Sequence, residues 1–388
     1  MTRTAPAPAH PTGAPGDPGT PGAAGAAGTP AGAAVTPGAR GAEGAPVQAR
    51  SRVHGSLAPR SRGVLALAAL AVALLATVAA SLALGSNLLP LGTVLANLID
   101  PARDVDAIVW GSRVPRTVLG VFVGCCLGVA GAVMQGQTRN PLADPGLFGV
   151  SAGASLAVVV GVYVLGTSSV LTTLWLALIG AVVASVVVFT VAALGRGLAS
   201  PVPLAIAGSA VSAFLVAATS YLVLSDESTL AAYRIWVVGS LSGRSLDGLA
   251  AALPFALVGL LLAALNTRSL NTLALGAELA RGLGESLLRA RLVGLGAITL
   301  LTAAAVALSG PIGFVGLTAP HIARSLVGGD HHRLLPASAL VGAVVLLACD
   351  VVGRLIGGNA EVSVGVVLTV LGGAVFVSIV RRGRLAAL

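Results

Sequence analysis

Apolar residues run along this chain in ten long stretches, and the short polar breaks between them hold most of the charge. The stretches cover 64–84, 114–135, 146–166, 171–194, 203–224, 246–265, 290–309, 312–328, 336–356 and 363–380. A run of about 20 apolar residues matches the hydrocarbon thickness of a bilayer. The alternation of a membrane barrel strand is missing. Each run therefore predicts a transmembrane helix. Residues 1–60 break the pattern, being Ala, Pro, Gly, Thr and Ser with scattered Arg. Such a segment cannot bury enough apolar surface to fold. It reads as a disordered cytoplasmic tail ahead of a transmembrane domain over 61–388.

Composition agrees. Hydrophobic residues make up 56% and charged residues 10%, against roughly 25% charged in soluble domains, and the mean hydropathy is +0.95. The chain is an integral membrane protein. Its formal charge of +9 comes entirely from Arg, with no Lys, and it follows membrane topology rather than nucleic-acid binding. Arg50, Arg52, Arg60 and Arg62 precede the first span and hold the N-terminus inside. An even number of spans returns the C-terminus inside, beside Arg381, Arg382 and Arg384.

Several arginines break the positive-inside bias, among them Arg103, Arg113, Arg116, Arg234, Arg244 and Arg354 on the outer side. Arg113 and Arg116 open the second span, and Arg354 falls near the outer end of the ninth. Snorkelling to lipid headgroups is one reading, and pairing of Asp350 with Arg354 at i and i+4 is another. A docking surface for an acidic soluble partner is the third. The outer segment 225–245 carries Tyr233 and Trp236, rings suited to the interface, and reads as a short helix lying flat.

The densest pattern lies between the second and third runs. Gly131–Gly153 takes an apolar helix to Gln135, then a polar elbow of Gln137, Thr138, Arg139 and Asn140. Pro141 and Pro145 stop the helix, and a new helix starts near Gly146, with Gly149 and Ser151 in its first turns. A degenerate copy of Gly146–Gly153 occurs at Gly313–Pro320, either a structural repeat or a coincidence among abundant small residues. Gly120, Gly124 and Gly128 line one face of the second span and allow close helix approach. The longest inner loop, 266–289, is a broken amphipathic stretch. Its Leu273, Leu275 and Leu279 either enter a partner's groove or rest on the membrane surface.

Chemistry is sparse. HExxH, CxxC and Walker-type motifs are absent, so nothing marks a bound metal or nucleotide cofactor. Cys125, Cys126 and Cys349 lie inside apolar runs as packing residues. His331 and His332 stand beside Asp330 in an inner loop that reads as solvated rather than as a metal site. Asp350 is the chief acid within a span. As a lone proton carrier it would make the chain a secondary transporter, a role that usually takes a relay of such groups.

Six blocks resemble one family: R-V-P-R-T (113–117), the elbow block 131–154, L-A-L-G-A-E-L-A-R-G-L-G (273–284), G-P-I-G-F-V-G-L-T-A-P-H-I-A-R (310–324), 334–343, and V-S-V-G-V-V-L-T-V-L-G-G-A-V-F (362–376). Their order and spacing are similar to those of FecCD-type permeases of iron-siderophore and vitamin B12 ABC importers, over about residues 60–384. The resemblance implies an all-helical membrane fold of about ten spans with an internal inverted repeat. It implies a second permease subunit, two cytoplasmic ATPase subunits that hold the ATP and magnesium, and an extracytoplasmic binding protein that delivers a ferric siderophore, or haem or cobalamin. It assigns docking of that binding protein to Arg113, Arg116 and Arg354. It assigns ATPase coupling to Leu275, Gly276, Ala277, Glu278, Arg281, Gly282 and Gly284. The pathway and elbow set is Gln135, Arg139, Asn140, Pro141, Pro145, Gly149 and Ser151. One departure is Ser363, where the family usually has proline.

Overall fold

The computed structural model describes residues 59–85, 88–101, 106–166, 169–194, 201–357 and 361–381. The predicted disordered tail lies outside them except for its last two residues, as do Arg103, Arg382 and Arg384. Among the described residues the chain is helical throughout. The elements are α1 (Pro59–Ala83), α2 (Leu91–Ile99), and α3 (Asp106–Ile108), which passes through a π-helical turn (Val109–Arg113) into α4 (Val114–Thr138). A 3₁₀ turn (Pro145–Phe148) leads to α5 (Val150–Leu165), α6 (Val170–Leu194), α7 (Pro201–Ser225), α8 (Glu227–Val237) and α9 (Asp247–Leu265). Then come α10 (Thr267–Ala274), α11 (Ala277–Gly282), α12 (Leu287–Ser309), α13 (Val315–Val327), α14 (His331–Gly357) and α15 (Val364–Arg381).

Every predicted span is a helix, but among the described residues only seven are long and apolar enough to cross a bilayer alone. The exceptions are α5, α13 and α15. At 16 and 13 residues, α5 and α13 reach about 24 and 20 Å at 1.5 Å per residue. Each starts late for a backbone reason. Gly149 (φ 72°) precedes α5 and Phe314 (φ 66°) precedes α13, both left-handed. The chain enters both helices from a turn or extended segment that uses up depth.

α4 is the centre, buried over most of its length like α12, whereas α1 lies at the edge with few fully buried residues and packs Ala66, Leu67 and Leu70 on the core. α14 runs antiparallel to α4. Gly120 faces Leu347, Gly124 faces Gly342 and Ala343, and Gly128 faces the Ser338 carbonyl, where an added Cβ would stand only 2.1 Å from the oxygen. The four-residue glycine spacing thus lets two backbones touch, the geometry small residues provide in lipid. One turn on, Gly131 meets the Gly316 carbonyl, so α13 joins the same seam.

The two similar segments also meet. An added Cβ at Gly316 would lie 2.7 Å from Pro145. Both segments line one cavity of about 180 Å³, with Pro145, Gly146 and Ser151 from one and Gly313 and Gly316 from the other. Thr302 also faces it.

Candidate functional site

α4 joins two polar clusters at opposite ends of the bundle. At the first end, Arg116 donates from Nε to both oxygens of Asp350, at 2.9 and 3.0 Å, and from Nη1 to Glu361 at 2.7 Å. Arg354 sits one turn beyond Asp350, with its Nε 3.2 Å from the other carboxylate oxygen. Arg354 also donates to the carbonyls of Ser81 and Leu84, and Arg113 donates to those of Leu82 and Ala83. These carbonyls end α1 and have no partner inside that helix. Cations suit that end, where the helix dipole is negative.

Arg113, Arg116 and Arg354, the arginines that the resemblance assigns to docking, are only 5%, 4% and 3% exposed. Their polar atoms bind α1, α4 and α14 together, because a buried cation requires close anions and carbonyls. The i, i+4 pair of Asp350 and Arg354 is present, and Arg116 completes it across 234 residues of sequence.

Beside this cluster α8 forms as a short helix. Asp226 caps it, accepting from the Ser228 hydroxyl, the Thr229 hydroxyl and the Thr229 N–H. These bonds, the Ser228 hydroxyl first, hold its carboxyl below the usual range. Trp236 departs from the interfacial reading. It is 4% exposed and packs into the main core, because α8 turns its last turn inward toward Gly310 and Ser240.

At the opposite end the inner loop folds into α10 and α11. Gly276 joins them at φ 113°, ψ 150°, a conformation open mainly to glycine, and Gly284 (φ 83°) closes the loop. The sequence pairs Leu273 with Leu275 and Leu279 on one face. The structure separates them. Leu273 turns inward with Ala280, Leu287 and Ala290 as a small core, and Leu283 takes its place outside. Leu275, Leu279 and Leu283 are 60%, 62% and 68% exposed. Glu278, Arg281, Gly282 and Gly284 lie on the same open surface, and Ala277 is half-buried.

The tie between this loop and the bundle is Asn271, which the sequence reading missed. Its Oδ1 accepts from the His331 backbone N–H at 2.9 Å and lies 2.8 Å from His331 Nδ1. Its Nδ2 donates to Asp330 at 2.8 Å. Burial would raise the Asp330 carboxyl, but the bonds from Asn271 and His332 hold it below its ordinary value. His331, read from sequence as part of a solvated loop, is instead 2% exposed at the start of α14 and packs on Gly136 of α4. Leu270 packs on the same glycine. No group of ligands suited to a metal occurs among the described residues.

The elbow set spreads over several roles. Gln135 is fully buried and donates to the Leu317 carbonyl, tying α4 to α13. Arg139 ends α4 in a left-handed conformation. Asn140 turns the chain by accepting from the Leu142 N–H, beside a half-buried Pro141. Pro145 and Ser151 face the 180 Å³ cavity. Gly149 is buried at the entry to α5.

Comparison with known proteins extends these observations. The sequence profile of the FecCD transport family matches residues 73–382. The ferric enterobactin transport system permease protein FepD of Escherichia coli (strain K12) is 42% identical over 319 residues, covering 82% of this chain and 95% of that one. The hemin transport system permease protein HmuU of Yersinia pestis is 40% identical, covering 70% of this chain and 82% of that one. A solved structure described as an inward-facing metal-chelate type ABC transporter superposes with a TM-score of 0.71 at 29% identity, covering 81% of this chain and 98% of that chain.

Proposed function

The chain belongs to the FecCD transport family and is a multi-pass permease of the ABC importer type, and we propose that its cargo is an iron(III)–siderophore complex. The observation that carries this is the 42% identity to a ferric enterobactin permease across 95% of that protein's length. Haem and cobalamin are the competing cargoes.

In this reading the end with α10 and α11 faces the cytoplasm and meets an ATPase subunit. Three exposed leucines on two short helices form an apolar patch that water alone would not favour, and Glu278 and Arg281 flank it. The end with the arginine cluster faces outward and receives a binding protein. Three guanidinium groups there balance two carboxylates, so the cluster keeps a net positive charge. A second permease subunit completes the pathway, the protein spans the cytoplasmic membrane, and the N- and C-termini lie on its cytoplasmic side. ATP and magnesium belong to the partner ATPases, and this chain catalyses no reaction. The mechanism is alternating access, with motion of α10 and α11 passed to α4 and α14.

A proton-coupled carrier using Asp350 is disfavoured by geometry. That carboxylate is 0% exposed and bound by both Arg116 and Arg354, contacts that hold α4 and α14 together and leave it no path to water. The test is radio-iron uptake by cells lacking this chain. A ferric siderophore whose uptake is lost and then restored by the chain fits the proposal. Restoration of haem or cobalamin uptake alone would change the cargo.

A further inference from the structure

A cavity of about 630 Å³ opens at the arginine-cluster end, between α5, the start of α6, α8 and the turn that follows it. Its volume falls in the range of small-molecule sites, which combine apolar walls with a few converging polar groups. The apolar wall includes Val158 and Val162 of α5 and Ile235 of α8. The polar groups are Arg244, Trp236, Ser240, Ser242, Ser363 and Thr173, the last already donating to the Ser169 carbonyl.

These groups are mainly hydrogen-bond donors that lack acceptors. Arg244 is half-buried and, among the described residues, meets no carboxylate and makes no hydrogen bond, unlike the cluster arginines nearby. Burial lowers its pKa and no anion offsets it. Trp236 is 96% buried by its 4% exposure, and its indole N–H has no partner. Ser240 already accepts from the Ser242 N–H, so its hydroxyl proton is available to another acceptor. Ser242 is committed, since its hydroxyl donates to Glu361, whose charge is countered by Arg116 at 2.7 Å. Ser363, the residue before α15, also lines the cavity, and its carbonyl accepts from Val366 and Val367.

An unpaired guanidinium and a buried unpaired N–H are costly unless a ligand supplies acceptors. We infer that this cavity is a recognition site for an oxygen-rich organic anion, a carboxylate or catecholate ferric chelate, held by Arg244 with Trp236, Ser240 and Ser363. The inference rests on the reading that the chain passes ferric chelates. A lipid phosphate offers the same chemistry, and the test separates the two.

The experiment is equilibrium dialysis of radio-iron chelates against the full-length chain in nanodiscs. The probes are an anionic ferric tris-catecholate, ferric citrate and a neutral ferric tris-hydroxamate. Saturable binding of at least one anionic chelate and none of the neutral one is expected. Arg244→Ala should weaken it at least tenfold, Arg244→Lys should restore part, and Trp236→Phe and Ser363→Pro should each weaken it several-fold. Three results overturn the inference: neither anionic chelate binds, Arg244→Ala binds as well as wild type, or raising phosphatidylglycerol in the nanodisc displaces the chelate only when Arg244 is present. The last identifies a headgroup as the occupant. Whole-cell uptake plays no part here, so failure of the cargo proposal would be seen separately.

Discussion

Arg116 and Asp350, 234 residues apart in sequence, form a buried pair in which Nε reaches both carboxylate oxygens and Nη2 lies 2.9 Å from Oδ1. Asp350 is the only carboxylate that both Arg116 and Arg354 contact among the described residues. Removing one partner of such a pair leaves charge buried without compensation, at a cost of about 3–5 kcal/mol. Asp350→Asn should therefore lower the unfolding temperature of the purified protein sharply. A stable variant that had lost only proton-dependent uptake would point to a carrier role instead.

The α4–α14 seam makes a second prediction. Gly128→Ala places a methyl 2.1 Å from the Ser338 carbonyl oxygen, so the helices must separate. Overpacking of this kind costs typically about 1–3 kcal/mol. Gly373 of α15 meets nothing within 4 Å, and alanine there should be neutral or favoured by up to about 1 kcal/mol, the helix-propensity difference. Thermal melts of both variants would show whether contact, not glycine content, sets the effect.

Asn271 makes the third. It links α10 to the start of α14 through the His331 backbone and ring. Asn271→Ala should leave ATPase association intact while uptake per ATP hydrolysed falls at least fivefold. Gly276→Ala should do the same through its φ of 113°, which alanine adopts poorly. Normal coupling in both variants would remove this loop from the mechanism.

The Asp226 cap gives a pH prediction. Its carboxyl lies below the ordinary value because Ser228 and Thr229 donate to it. Its contribution is complete above the unfolded pKa of about 3.9, and it is lost as pH falls through the lower folded value. Amide exchange at the start of α8 should be insensitive to capping loss between pH 5 and 8, and Asp226→Ala should speed it across that whole range.

Much of this was legible in the chain. Apolar run length located ten helices, and the Gly120, Gly124 and Gly128 spacing foretold a close helix contact, because both follow from local periodicity. The short lengths of α5 and α13 were not visible, since they depend on left-handed residues at Gly149 and Phe314. The arginines were found, but their burial was not, because it takes α1 and α14 from opposite ends of the sequence to enclose them. Asn271 carried no signal beyond being polar in an amphipathic stretch. Leu273 turns inward, away from Leu275 and Leu279, because the break at Gly276 resets the helical phase.

In the proposed mechanism this chain passes a ferric siderophore only with an ATPase partner. The direct measurement is radio-iron siderophore uptake in cells lacking the chain, complemented with it alongside an active or a hydrolysis-dead ATPase subunit. Uptake should be restored with the active partner and absent with the dead one. Uptake that persists with the dead partner and collapses when the proton gradient is dissipated would contradict that mechanism.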